Sequence, residues 1–204
     1  MRQTIWLGMA ILLVVGCAKR PAAPPPKTST QKPVQKKVQG NTSKNAVPDL
    51  KQALLAYRKG VDFLNQDNLE AAKRAFEDAQ KMAPAFALPY YGMGLVHLKR
   101  NQSKEAVVAF AKAVGVKPNF SQASLGLGIA YRQSGDLRAA EKAYLAGIKY
   151  DGSQPNLHYN LGILYEVYLG QPEEALKQYQ VYLSLAQKNA DERVKTWVSL
   201  LQKN

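Results

Sequence analysis

Small, aromatic and apolar residues alternate with polar ones along residues 53–188 in a pattern that returns every 34 positions. Numbered from Ala53, the residues Gly60, Phe63, Ala72, Phe76, Ala79 and Pro84 occupy positions 8, 11, 20, 24, 27 and 32. One period later stand Gly94, His97, Ala106, Phe110, Ala113 and Pro118, and a second period later Gly128, Tyr131, Ala140, Tyr144, Gly147 and Gly152. A fourth copy opens at Pro155 with Leu161, Gly162 and Tyr165, then needs one extra residue before Ala175, Tyr179 and Tyr182 resume the pattern. Glycine and alanine at fixed intervals let two helices approach closely, aromatic rings fill the space beside them, and Pro84 and Pro118 end the second helix. Position 15 carries Asp67, Asn101 and Gly135, with Gly170 one place later in the fourth copy. These residue types tolerate the left-handed backbone of a tight turn, so each copy reads as a helical hairpin. One hairpin cannot bury its apolar face alone, whereas three or more stacked copies share a core. After the fourth copy, Val194, Trp197, Val198 and Leu201 form a single apolar stripe, which predicts a capping helix.

Small residues at 8, 20 and 27, aromatics near 11 and 24 and proline at 32 resemble the tetratricopeptide repeat (TPR) family. The resemblance implies an all-α fold: a right-handed superhelix of four TPR hairpins over residues 49–188, plus a C-terminal capping helix over 189–204. It further implies that the first helix of each repeat lines an inner groove, into which positions 2, 5, 9, 12 and 13 point. Those positions hold Leu54, Tyr57, Val61 and Leu64 in the first copy, and Leu88, Tyr91, Leu95, Leu98 and Lys99 in the second. The third contributes Leu125, Ile129 and Arg132, the fourth Asn156, Tyr159 and Ile163, and Asn65, Gln122, Gln133, Glu166 and Val167 complete the set. The position-9 residues suit packing between neighbouring first helices as well as they suit the groove, while long amphipathic tyrosines tend to reach a surface. Chaperone-binding members of the family hold a C-terminal carboxylate with Lys at 5 and Asn at 9. Tyr or Leu, and Val, Leu or Ile, stand there in this chain, so that clamp is absent. An apolar groove of this kind is expected to take an extended or helical peptide, with the tyrosines as anchors.

The N-terminal end has a different character. Arg2 precedes an uncharged run from Ile5 to Gly16, which is in the range of a signal-peptide core and short of the roughly 20 apolar residues a spanning helix needs. Val14-Val15-Gly16-Cys17 resembles the bacterial lipobox, with Val in place of the more usual Leu at its first position. The resemblance implies cleavage of residues 1–16 and a covalent lipid on Cys17, the only cysteine of the chain. Ala18, rather than Asp, follows the cysteine. By the same resemblance the destination is the outer membrane, facing the periplasm, in a Gram-negative cell, or the outer face of the plasma membrane in a Gram-positive one.

Residues 17–48 then form an expected tether of the lipidated cysteine and a Pro- and Lys-rich segment too poor in large apolar side chains to bury a core. At about 3.1 Å per residue it reaches at most ~100 Å from the membrane. It also explains much of the net charge of +13: residues 18–48 carry seven basic residues and no acid, against 20 basic and 15 acidic in residues 49–204. No aromatic residue interleaves those lysines, which argues against a single-stranded nucleic-acid platform, and no nucleic-acid partner is expected.

One cysteine and two histidines, His97 and His158, leave no zinc-ligand cluster, and no nucleophile-base pair or phosphate loop is placed by the pattern. Both histidines read as packing residues. No catalytic residue, metal or cofactor is expected, the lipid on Cys17 apart. The expected function is a lipid-anchored scaffold whose groove binds an envelope protein or peptide, a homo-oligomer being compatible with it. The alternative is an assembly factor resembling the pilotins, which escort a secretin to the outer membrane.

Overall fold

The computed structural model describes residues 46–202; the leader, Cys17 and nearly all of the tether lie outside the described residues. Four helical hairpins follow one another: α1 (Ala46–Asn65) with α2 (Leu69–Met82), α3 (Ala87–Lys99) with α4 (Ser103–Val116), α5 (Ser121–Ser134) with α6 (Leu137–Tyr150), and α7 (Pro155–Ile163) with α8 (Pro172–Ala186). A final helix, α9 (Glu192–Leu201), packs on α8. The first helix starts at Ala46, before the boundary expected at residue 49. Pro48 lies in its first turn, where a missing backbone N–H would have no partner in any case.

Position 15 turns the chain as its residue types require. Asp67, Asn101, Gly135 and Gly170 all adopt positive φ, at 57°, 58°, 87° and 62°. In the first three hairpins the N–H of position 16 then donates to the carbonyl of position 11: Asn68 to Phe63 at 2.9 Å, Gln102 to His97 at 2.9 Å and Asp136 to Tyr131 at 3.0 Å. This bond closes the helix end by pairing a carbonyl that has lost its own helical donor. Asn68 and Asp136 cap the following helix, their side chains accepting from the N–H of Ala71 and Ala139. An added Cβ at Gly135 would meet nothing within 4 Å, so only backbone conformation resists substitution there. Gly135→Ala is expected to cost about 1–2 kcal/mol, read as a lower urea midpoint at unchanged slope.

The extra residue of the fourth copy is absorbed as one π-helical turn, Leu164–Tyr168, at the end of α7, with Leu169 N–H donating to Leu164. The closing bond survives: Gln171 N–H still reaches the carbonyl of Tyr165, the position-11 residue, at 2.8 Å, although six residues separate them instead of five. The insertion thus leaves the hairpin turn intact and rotates the segment just before it.

The core is an alternation of rings and glycines. Phe76 is fully buried between Gly60 of its own repeat and Gly92 of the next, where an added Cβ would lie 2.5 and 2.6 Å from the ring. Phe110 lies likewise between Gly94 and Gly126. Tyr144 faces Gly128 and Tyr179 faces Gly162, again with no room for a side chain. The position-24 ring therefore joins the hairpin it belongs to and, in the first two repeats, the hairpin that follows.

The cap closes this stack with the predicted stripe. Val194 is fully buried, Trp197, Val198 and Leu201 pack on the last core cluster, and the Trp197 ring stands 5.8 Å from that of Tyr179. Asp191 caps α9 through the N–H of Arg193, while its own N–H donates to the Tyr182 hydroxyl. The hydrogen-bonded Arg193 guanidinium holds the Asp191 carboxyl below the usual carboxylate range. This contribution is present above the ordinary carboxylate pKa of about 3.9 and is lost as pH falls through the lower, folded value. In a chain lacking the leader, Trp197 is the sole tryptophan. Its fluorescence is expected to stay constant from pH 7 to 5 and to change only below about 4, a step that Asp191→Asn, which still caps, should diminish.

Candidate functional site

The geometry of the stack selects one face. The first helices touch one another in succession, α1 to α3, α3 to α5 and α5 to α7, while no comparable contact joins α2 to α4 or α4 to α6 among the described residues. The first helices are thus closer together and line the inner, concave side.

Tyrosines at position 5 form the floor of that side. Tyr57 packs on Phe76, ring centres 5.6 Å apart, and edge-on against Phe86 at 6.0 Å. Tyr91 repeats the arrangement on Phe110 at 5.7 Å and Phe120 at 5.2 Å. Tyr159 leans on Tyr182 at 5.3 Å, and Leu125 replaces the tyrosine in the third repeat. All three tyrosines are half-buried. Burial raises the phenol pKa of Tyr57 and Tyr91, with the neighbouring Tyr91 adding to the effect on Tyr57, so both are neutral at physiological pH. Phe86 and Phe120 escaped the sequence reading. The signal was their common place at position 34, one period apart, in the connection between hairpins.

The other groove residues divide by burial. Leu54, Val61, Leu88, Leu95, Leu98, Leu125, Ile129 and Ile163 are half-buried and keep some surface on this face. Leu64 does not: it is 8% exposed, packed with Ala72, Phe76, Met93 and Val96, so it belongs to the core and offers a ligand almost nothing. Asn156 is exposed at the start of α7, its carbonyl accepting from the Asn160 amide. Lys99 is engaged at the rim, its Nζ 2.8 Å from Asp67 in the preceding turn, beside an Arg100–Glu70 pair at 2.7 Å. These largely exposed pairs contribute little energy.

The π-turn places a polar cluster at the other end. Arg132 on α5 donates from Nη1 to the Tyr168 hydroxyl at 3.1 Å, with its guanidinium 5.3 Å from the centre of the Tyr168 ring. Its buried Nε and the buried Tyr144 hydroxyl have no hydrogen-bond partner among the described residues. Burial alone would lower the Arg132 pKa, but the Tyr144 and Tyr168 hydroxyls outweigh it and raise the pKa, and no carboxylate contributes. Glu166 turns away to accept from the Tyr179 hydroxyl at 2.7 Å, and Glu141 accepts from Tyr165 at 2.8 Å. Burial first, and these carboxylates second, push both phenols far above the ordinary range. Val167 and Tyr168 are exposed on the rotated segment.

The histidines are occupied by neighbours. His97 Nδ1 pairs with Gln102 at 2.8 Å, and the buried His158 pairs through Nδ1 with Gln178 at 2.9 Å and through Nε2 with the Gly152 carbonyl at 3.1 Å. Among the described residues no three His, Cys, Asp or Glu side chains gather as a metal site, and no helix is long and apolar enough to cross a membrane.

A stack of two-helix units with a continuous inner face defines a helical-repeat scaffold. The chain belongs to the tetratricopeptide repeat family: a tetratricopeptide repeat model matches residues 57–124 and a TPR repeat model residues 128–167, together just over half of the chain. No curated protein matches it by sequence. Among solved structures, MamA is 19% identical over 75% of this chain and 82% of its own, with a TM-score of 0.65. The pilF protein of Pseudomonas aeruginosa is 18% identical over 76% and 70%, with a TM-score of 0.69. The first TPR domain of Spaghetti (RPAP3), solved bound to the HSP90 peptide SRMEEVD, is 16% identical over 59% and 98%, with a TM-score of 0.58. At these identities the likeness establishes the fold, the right-handed TPR superhelix.

Proposed function

We propose that this chain is a non-enzymatic adaptor, held at the cell envelope by a lipid on Cys17, that recruits another envelope protein by taking a segment of it into the concave groove. The reading rests above all on Tyr57, Tyr91 and Tyr159. Each is half-buried on the inner face and braced by a second aromatic ring. Braced aromatic side chains lose little conformational freedom when a partner covers them, which suits them to be anchors. The aliphatic residues between them extend that surface along four repeats. Envelope address and outer-membrane placement are supported by the lipobox-like Val14–Cys17 segment and by Ala18 after it. The Pro- and Lys-rich tether would let the repeats work at a distance from the bilayer.

In-cell photo-crosslinking tests the groove. A photoreactive phenylalanine at Tyr91 and at Tyr159 is expected to capture the same protein, and one at Val108, exposed on α4, is expected not to. Capture from Val108 alone would overturn the assignment. If the captured protein is a secretin subunit, and loss of this chain abolishes secretin multimers, the pilotin-like reading replaces the general adaptor. Mass spectrometry of the membrane-bound chain tests the anchor separately: the expected species begins at an acylated Cys17, and an uncut leader with a free thiol would refute it.

A further inference from the structure

The apolar groove contains one cation, Arg132, that no carboxylate pairs with among the described residues. Arg132 lies on the inner side of α5, half-buried, and of its five N–H groups one makes a hydrogen bond among the described residues, to the Tyr168 hydroxyl, with the Tyr144 hydroxyl the other polar group acting on it. The ion pairs among the described residues leave it out, although Lys99 and Arg100 on the preceding first helix each find a carboxylate. Glu166, within the π-turn, and Glu141 are committed elsewhere, to Tyr179 and Tyr165. A guanidinium partly removed from water and stacked against a ring keeps a strong preference for an anionic acceptor in the plane of its remaining donors. Half-buried Ile129, one turn before Arg132 on α5, and half-buried Leu98 on α3 leave apolar surface beside it.

We propose that the polypeptide segment bound in the groove carries an acidic side chain that docks on Arg132, with apolar residues on the tyrosine-lined floor beside it. This rests on the groove-binding reading above and adds the chemistry of the ligand. Charge complementarity favours a foreign segment over the chain's own tether, since residues 18–48 hold seven basic residues and no acid to offer Arg132. The site differs in construction from a lysine–asparagine clamp for a chain terminus, because its cation stands alone at position 12 of the third repeat, held in place by a tyrosine from the fourth.

The test selects a random dodecapeptide display library on the full chain in detergent, in parallel with Arg132→Gln, Arg132→Lys, Arg132→Glu and the groove variant Leu88→Asp. Circular dichroism confirms that each variant is folded. Wild type is expected to enrich peptides with Asp or Glu at one fixed place among apolar residues. A representative peptide should bind Arg132→Gln at least about tenfold more weakly, the loss of one charge-assisted contact, with Arg132→Lys in between. Arg132→Glu should enrich Lys or Arg at the same place. Peptides that lose binding in Leu88→Asp but show no acid preference, or keep one in Arg132→Gln, overturn the proposal and leave groove binding standing. If no enriched peptide responds to Leu88→Asp, groove binding itself fails. If the chain self-associates and Arg132→Glu abolishes this, the occupant is a second copy and the proposal of a foreign segment is refuted.

Discussion

Phe110→Ala is expected to destabilise the repeat array by about 3–5 kcal/mol, in the upper part of that range. The cost of such a truncation depends on how far the surroundings can collapse into the space left behind. Here they can hardly move: the ring is fully buried and walled on two sides by Gly94 and Gly126, which have no side chains to swing inward. The two glycines belong to different repeats, so the loss also falls on the junction between α3–α4 and α5–α6. In a linear array, stability sums the repeats and their junctions, and weakening a middle junction lets the two halves unfold separately. Urea unfolding followed by circular dichroism averages over all helices, whereas Trp197 fluorescence, in a chain without the leader, follows the C-terminal end. The two curves should coincide for wild type and separate for Phe110→Ala. Val108→Ala, at an exposed position of the same helix, should stay within about 0.5 kcal/mol of wild type.

That the sequence alone exposes this architecture follows from the narrowness of the steric demand. Only glycine fits against Phe76, Phe110, Tyr144 and Tyr179, and only a few residue types turn the chain at Asp67, Asn101, Gly135 and Gly170, so the same letters recur at the same interval. What was hidden depends on rotation about a helix axis or on contacts across repeats. The inserted residue was visible as a slip of one in the fourth copy. Its consequence was not, because a π-turn at Leu164–Tyr168 swings the following side chains round, turns Glu166 to Tyr179 and brings Tyr168 to Arg132. Position counting placed Glu166 and Arg132 alike in the groove, and it placed Leu64 there too, although the approach of α3 covers Leu64 with Met93 and Val96. Phe86 and Phe120 show the opposite failing: they recur in register but lie between hairpins, where a reading confined to helices does not look. The candidate groove was therefore legible as a face and illegible as a surface.

Gly126→Val should cost about 3 kcal/mol, the upper end of what forcing extra bulk into a packed core does. A methyl at this position alone would lie 2.5 Å from the Phe110 ring, and the second branch of valine has nowhere to go between α5 and α4. The smaller change, Gly126→Ala, sets two terms against each other. Alanine gains roughly 1 kcal/mol over glycine in the middle of a helix, and the clash must exceed this for the substitution to destabilise. Gly115, in α4, supplies the contrast, because an added Cβ there meets nothing within 4 Å. Gly115→Ala is expected to raise the urea midpoint and Gly126→Ala to lower it, an opposite response to the same chemical change. If the ring is the cause, shrinking it should relieve the clash: the double variant Gly126→Ala with Phe110→Leu should be less destabilised than the two single effects added together, by roughly 0.5–3 kcal/mol as expected for side chains in contact. Additive losses would mean that the glycine is needed for some reason other than the ring it faces, and the ring-and-glycine account of how these repeats join would fail with it.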